Sequence, residues 1–488
     1  MLTLALALVL VIPLAGAVMA GVARVGEARG VALRAALVTA LLAIGVSWVA
    51  YPAGYRVMLA GLPWLEHGSS AGLFGLLLDP LATILLLVAT VIGFLTVLYS
   101  GGYLQKENQE HSVGAEHHGR FYFWLLAFLA SMVGVATAPN FLQLFVFWEL
   151  TTVCSWSLIS FYRSPSSLRA GFKAILMTHA GGLFFMAALL VMFVKTGSFD
   201  FDAPARLDGN VRGAVYAFLM IAAWGKAAQV PLNTWLPDAM EAPTPISAYL
   251  HAAAMVKAGV YLMARAVSSG WAMPEGVGLV MAIMALVTIL IALSFYFVQD
   301  DLKRLLAYST IAHLGYVLLG VAIGALGSPI ALQGGALHII CHAFGKATLF
   351  LCVGAVAWKT GSRSIAGLRG IARIMPLTAT AYFVGVLAVT GIPPFACFWS
   401  KFMILAGAMQ LASPLGPVIM AVVLIESLVA FGWMLRVGQK VFLGPWTPPA
   451  DRPLHPLPVS MQIALVALIA GCLVAPVVGI PLVHRIVP

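Results

Sequence analysis

Apolar stretches of about 20 residues, the length that carries a helix across a bilayer, recur from one end of the chain to the other with short polar joints between them. In hydrocarbon no water bonds the backbone, so only helices and closed barrels span it, and runs of this length select helices. With 62% of its 488 residues hydrophobic and 9% charged, the chain has too little polar surface to cover a globule in water. The pattern predicts an all-α membrane protein of about 14 transmembrane helices, beginning near residues 2, 31, 73, 121, 140, 171, 212, 244, 276, 303, 330, 377, 415 and 459. Met1 to Val22 has no basic start and is followed by many further spans, so it reads as the first helix and not as a leader.

The net charge of +10 is carried by Lys and Arg scattered singly through short loops. A nucleic-acid surface clusters them into a stripe; orientation in a bilayer does not require it. Most of the 27 Lys and Arg fall in loops after odd-numbered helices, which predicts those loops in the cytoplasm and both termini outside. Cys154, Cys341, Cys352, Cys397 and Cys472 are isolated in apolar segments, with no CxxC pair or Cys/His cluster, so no metal site is expected. There is also no GxGxxG or phosphate-binding loop, so the chain has no visible means of its own to harvest redox or nucleotide energy.

Several ionisable residues interrupt the apolar runs: Glu149, Lys226, His251, Lys257, His338, His342, Lys346 and Lys401. Each costs roughly 2.5 to 3.5 kcal/mol even on lenient insertion scales, so such groups pair, face a wet interior, or carry ions. His338, His342 and Lys346 are spaced i, i+4, i+8, which sets them on one slowly drifting helix stripe about 12 Å tall. Histidine titrates near neutrality and a lysine taken out of water changes its protonation state readily, so the stripe can pass protons. His251 and Lys257, six residues apart on one continuous helix, point about 120° apart and require a wide channel or separate partners. Glu149 is the one carboxylate in the middle of the fifth span, and Lys226 is its expected partner, since an unpaired carboxylate there would protonate. His313 and Glu426 are possible additions to the route, each a lone residue; the alternatives are a static buried ion pair at Glu149 and Lys226 and satisfied core histidines, which three titratable groups on one stripe disfavour.

Two spans are broken alike. Trp224 to Trp235 contains Lys226 and Pro231, and Gly391 to Lys401 contains Pro393 and Pro394. Proline frees a carbonyl one turn back, and irregular backbone at membrane depth is tolerated only where protein or cavity water satisfies it. The seventh and twelfth spans are five helices apart, an odd number, so a repeat relating them would be inverted. The expected organisation is N-terminal helices 1 to 3 (1–120), a first five-helix repeat of spans 4 to 8 (121–270), a second, inverted repeat of spans 9 to 13 (271–445), and a last helix (446–488), with helices 7 and 12 broken.

The segment Trp235-Leu-Pro-Asp-Ala-Met-Glu-Ala-Pro-Thr-Pro-Ile-Ser-Ala-Tyr-Leu-His251-Ala-Ala-Ala-Met-Val-Lys257 resembles the signature of the antiporter-like subunits shared by respiratory complex I, Mrp sodium/proton antiporters and membrane-bound hydrogenases. Phe147-Trp-Glu149-Leu, Gly225-Lys226-Ala-Ala-Gln-Val-Pro231, Asp301 to Thr310 and His338 to Lys346 are similar to the family's other motifs, in order. Tyr99 to Leu104, Cys154 to Tyr162 and Phe398-Trp-Ser-Lys401-Phe resemble the hydrogenase-4, formate hydrogenlyase-type branch. The resemblance implies a proton-translocating subunit of a redox-driven complex in a prokaryotic inner (cytoplasmic) membrane. Glu149 and Lys226 would be the coupling pair, His251 and Lys257 the central relay, His338, His342 and Lys346 the second relay, and Lys401 the exit-side lysine. It further implies that this chain binds no cofactor, that iron–sulfur and NiFe centres sit in partner subunits, and that the partners are other integral membrane subunits, a peripheral redox arm and lipids. The short C-terminus implies that the long lateral helix of some relatives is lacking, and Gly182 stands where some relatives place an acidic residue. The alternatives are a member of an Mrp-type Na⁺/H⁺ antiporter and a non-conducting scaffold.

Overall fold

The computed structural model describes residues 1–51, 53–60, 74–270, 272–446 and 455–486. The helices are α1 (Leu2–Val22), α2 (Ala28–Ala50), α3 (Pro80–Tyr103), α4 (His118–Thr137), α5 (Phe141–Ile159), α6 (Pro165–Thr196), α7 (Gly209–Lys226), α8 (Trp235–Asp238), α9 (Thr244–Ala252), α10 (Met255–Ser268), α11 (Glu275–Ser294), α12 (Leu302–Ala325), α13 (Pro329–Thr360), α14 (Pro376–Thr390), α15 (Ala396–Met409), α16 (Leu415–Phe442) and α17 (Val459–Val483). Among the described residues, 12 helical segments are long and apolar enough to cross a membrane, with α9 and α10 together forming one of them. The chain is a multi-pass membrane protein of the all-α class.

Side chains fix where several helices begin. Asp79 Oδ1 accepts the amide of Ala82 (2.8 Å) and Pro80 stands at the first position of α3, while Asn140 caps α5 through the Gln143 amide (2.8 Å). The Asp79 cap corrects one boundary. The third helix does not begin near residue 73: Phe74–Leu78 is a strand, β2, paired antiparallel with β1 (Tyr55–Ala60).

The long helices α6 and α13 are built alike. Each runs 32 residues from a proline at its start (Pro165, Pro329). Each ends in Lys-Thr-Gly-Ser, at 195–198 and 359–362, with the glycine in the left-handed region (Gly197, Gly361) and bonded to the carbonyl four residues back at 2.8 Å. Thr196 and Thr360 make the same pair of bonds, backward to Met192 or Val356 and forward to Ser198 or Ser362.

α12 and α13 form the buried axis of the second half, and most of their side chains are out of contact with the surroundings. Gly320 and Gly335 let them approach backbone to backbone, since a Cβ on Gly320 would fall 2.8 Å from the Gly335 Cα. α1, α6 and α16 instead turn large apolar side chains outward, as helices facing lipid or another subunit do.

Candidate functional site

Polar side chains from five helices converge in the second half. His338, His342 and Lys346 share a stripe of α13 and all are fully buried. Lys257, brought in by α10, donates to His342 Nδ1 (2.8 Å). The His342 ring lies 5.0 Å from that of His313 on α12, and His313 Nδ1 is 3.0 Å from His338 Nε2. His338 Nδ1 reaches Ser400 Oγ (2.8 Å) on α15. Beside these rings, the Tyr316 hydroxyl donates to Glu426 of α16, while the Lys401 ammonium sits 4.4 Å over the Tyr316 ring, 3.6 Å from the Glu426 carboxylate and 2.8 Å from Ser427 Oγ. A neutral imidazole offers one donor and one acceptor, so the His313–His338 contact joins complementary tautomers, a geometry along which a proton can be passed. His313 and Glu426 both fall within this cluster.

Lys346 is the exception on the stripe. Its one hydrogen bond among the described residues is a long one to the Leu306 carbonyl (3.4 Å), so the ladder does not continue directly from His342 to Lys346.

The first half departs further from expectation. Lys226, the last residue of α7, is fully buried, but its ammonium donates to the Trp148 carbonyl and to Thr151 Oγ1, and lies 4.5 Å over the Trp148 ring. Glu149 does not pair with it. One residue on from Trp148 the helix has turned about 100°, and the Glu149 carboxylate meets His179 Nδ1 of α6 at 2.9 Å. Gly182, one turn further along α6, makes this possible, because a Cβ there would collide with Glu149 Oε1. His179 is 55% and Glu149 24% exposed at the side chain, so the pair opens on the outside of the bundle.

His251 and Lys257 are not on one continuous helix. The backbone breaks at Ala253 and Ala254 between α9 and α10, which removes the 120° relation and lets each residue find its own neighbours. The His251 ring lies 4.7 Å from Phe350, and neither of its nitrogens has a partner among the described residues. Among the described residues no hydrogen bond joins Lys226 directly to Lys257. Pro231 lies in the turn after α7, and Pro393 and Pro394 between α14 and α15; Val230–Pro231 and Pro393–Pro394 are both cis.

Sequence reasoning missed Tyr316, Ser400, Ser427, Thr151 and His179. For His179 a signal existed: with Gly182 it marks one face of α6 as polar and small. It also missed that the fold brings Cys397 beside His313 and His338, with ligand atoms within 4.8 Å of one another. The two imidazoles already bond each other and Lys257 and Lys401 stand close by, so cationic surroundings and spent donors leave this group poorly suited to a metal ion.

A membrane bundle threaded by buried lysines and histidines defines an antiporter-like membrane subunit. The family model described as NADH:quinone oxidoreductase/Mrp antiporter, TM matches residues 138–425, and that described as NADH-ubiquinone oxidoreductase (complex I), chain 5 N-terminus matches residues 64–112. The chain belongs to this family. It is 38% identical over 366 residues to NAD(P)H-quinone oxidoreductase subunit 5, chloroplastic, of Anthoceros angustus, covering 70% of this chain and 48% of that one. It is 37% identical over 418 residues to a probable K⁺/H⁺ antiporter polypeptide of Rhizobium meliloti, covering 83% and 40%. The chain thus spans about half the length of these curated relatives. Among solved structures it resembles a chain of the Mrp complex from Dietzia sp. DQ12-45-1b, with a TM-score of 0.85 and 31% identity over all of this chain and 52% of that one. It also resembles a chain of an archaeal membrane-bound sulfane sulfur reductase, with a TM-score of 0.81 and 25% identity over 98% and 96% of the two.

Proposed function

We propose that this chain translocates protons as one membrane subunit of a redox-driven complex. The observation that carries the reading is the run of contacts Lys257–His342–His313–His338 beside Tyr316, Glu426 and Lys401, in which every neighbour is a group able to gain or lose a proton. Buried charges without such a use are a cost that apolar residues avoid.

The half-exposed Glu149–His179 pair belongs against another polar surface, because neither group is stable in acyl chains. A neighbouring membrane subunit that covers it supplies the coupling. A charge change there acts on Lys226 across α5, through the Trp148 segment that both residues share; at an effective dielectric constant of 20 the Coulomb interaction is about 4 kcal/mol for charges about 4 Å apart and falls inversely with their separation. The proton leaving Lys226 passes toward Lys257, then along the histidines to Lys401. On this reading α7–α8, α9–α10 and α14–α15 are broken spans in a bundle of about 14 passes, spans 4 to 8 and 9 to 13 form inverted repeats, and the similar α6 and α13 are counterparts. The face carrying Lys106, Arg304 and Arg363 is cytoplasmic, the termini are on the other side of a prokaryotic inner membrane, and redox centres of the iron–sulfur or NiFe kind reside in partner subunits.

The match to nearly the full length of a chain from an archaeal sulfane sulfur reductase supports a redox complex, of which the hydrogenase-4 type is one form. The 31% identity to a chain of an Mrp complex favours a second reading, membership of a cation/proton antiporter. Copurified partners separate them: redox proteins support the first, small antiporter proteins the second. Lys226→Ala tests conduction itself. Proton translocation by the assembled complex in vesicles falls to background on this account, and a wild-type rate refutes it.

A further inference from the structure

An open polar recess lies between the loop after α3, the start of α12 and the loop after α13, lined by Glu110, His111, Asp300, Asp301 and Arg363. Its floor leads inward. Glu110, only 7% exposed, takes Arg363 on one carboxylate oxygen (3.3 Å) and the Tyr103 hydroxyl on the other (2.8 Å). Arg363 is also tied to Asp301 (3.2 Å). The Tyr103 hydroxyl, fully buried, lies 3.3 Å from Thr244 Oγ1 at the start of α9.

From Thr244 the next polar groups on the same face of α9 are Ser247 and His251, at i+3 and i+7. Both are fully buried, and Ser247 Oγ and both ring nitrogens of His251 have no partner among the described residues. One such group costs about 1 to 3 kcal/mol; a row of them on one helix face is the polar lining that ordered water completes. His251 packs on Phe350, one turn from Lys346, whose sole bond among the described residues is the long one to Leu306.

We infer that this row is a proton-loading branch: Glu110 collects a proton at the recess and hands it through Tyr103, Thr244 and Ser247 to His251, and thence to Lys346. It rests on the conduction reading above but names an entrance and a direction which that reading lacks. Arg363 holds Glu110 in place at the mouth, and Lys346, off the direct histidine chain, becomes the acceptor of the side branch.

The test uses the assembled complex in proteoliposomes, with proton flux driven by a valinomycin-imposed K⁺ potential and read by a trapped pH dye per assembled complex. Glu110→Gln and Tyr103→Phe each lower the flux about tenfold or more, as removal of a proton-transfer group does, and Glu110→Asp restores most of it. Ser247→Ala removes a hydroxyl with no protein partner among the described residues, so it decides the matter should the Glu110 variants fail to assemble, and it too slows the flux. Wild-type flux in the variants that assemble, Ser247→Ala among them, overturns the branch while leaving the conduction reading in place. A wild-type complex without proton flux overturns both.

Discussion

The Lys257 ammonium donates to Nδ1 of His342 at 2.8 Å, which fixes the tautomer of a neutral His342 ring with its proton on Nε2. That Nε2 has no partner among the described residues, and the His313 ring stands 5.0 Å away from the His342 ring. On the proposed conduction path, a proton arriving from Lys257 on one side of His342 would leave from the other, toward the His313–His338 pair.

On the proposed path Lys257 and His342 serve one transfer step, so losing either should break it. Lys257→Met and His342→Leu should each reduce proton translocation by about a hundredfold, and the double variant should be no worse than either single one. Residues that act as a unit are non-additive. Translocation rates per assembled complex form the double-mutant cycle; additive losses would separate the two residues into independent roles.

Gly182→Ala should mimic Glu149→Gln. The added methyl occupies the position of Glu149 Oε1 and pushes the carboxylate off His179, a change in geometry with no change in charge. Both variants should assemble, keep electron turnover and lose coupled proton translocation, measured as protons moved per electron. His179→Leu, which removes the partner, belongs to the same class.

Asp79 and Arg265 form a largely buried ion pair, with Arg265 also bonded to the Tyr261 hydroxyl (2.7 Å). Burial works to raise the Asp79 carboxyl, but the Arg265 guanidinium, by charge and by hydrogen bond, together with the Ala82 and Leu81 amides, outweighs it and holds the group below the usual carboxylate range. A depressed folded-state value contributes stability above the ordinary carboxylate value and loses it as pH falls through the folded one. Asp79→Asn should therefore cost about 2 to 3 kcal/mol at neutral pH, and the gap to wild type should close only below about pH 4. Thermal unfolding in detergent across pH reads this; a gap that closes near pH 6 would assign the effect to another group.

The fold class was legible because apolar run length is dictated by bilayer thickness, and the stripe His338–His342–Lys346 because helix geometry follows from spacing alone. Partner choice was not legible. Glu149 and Lys226 are a natural pair by charge, but the turn of α5 after Trp148 and the space at Gly182 send the carboxylate to His179 instead. The break at Ala253–Ala254 carries no proline or glycine to announce it, so His251 and Lys257 read as one helix. The shared ending of α6 and α13 is written in the sequence as two Lys-Thr-Gly-Ser strings, a likeness that lies outside the broken spans and their buried charges. Tyr316, Ser400 and Ser427 are uncharged at neutral pH, so only the fold reveals that they flank Glu426, His338 and Lys401.

His338 bonds both His313 and Ser400, at 3.0 and 2.8 Å, and so ties the histidines of α12 and α13 to α15 by hydrogen bonds. The decisive measurement is the number of protons moved across the membrane by the assembled complex carrying His338→Leu, with its redox turnover recorded in the same vesicles. The account predicts that translocation falls about tenfold or more while the complex assembles and turns over; translocation at the wild-type rate would contradict it.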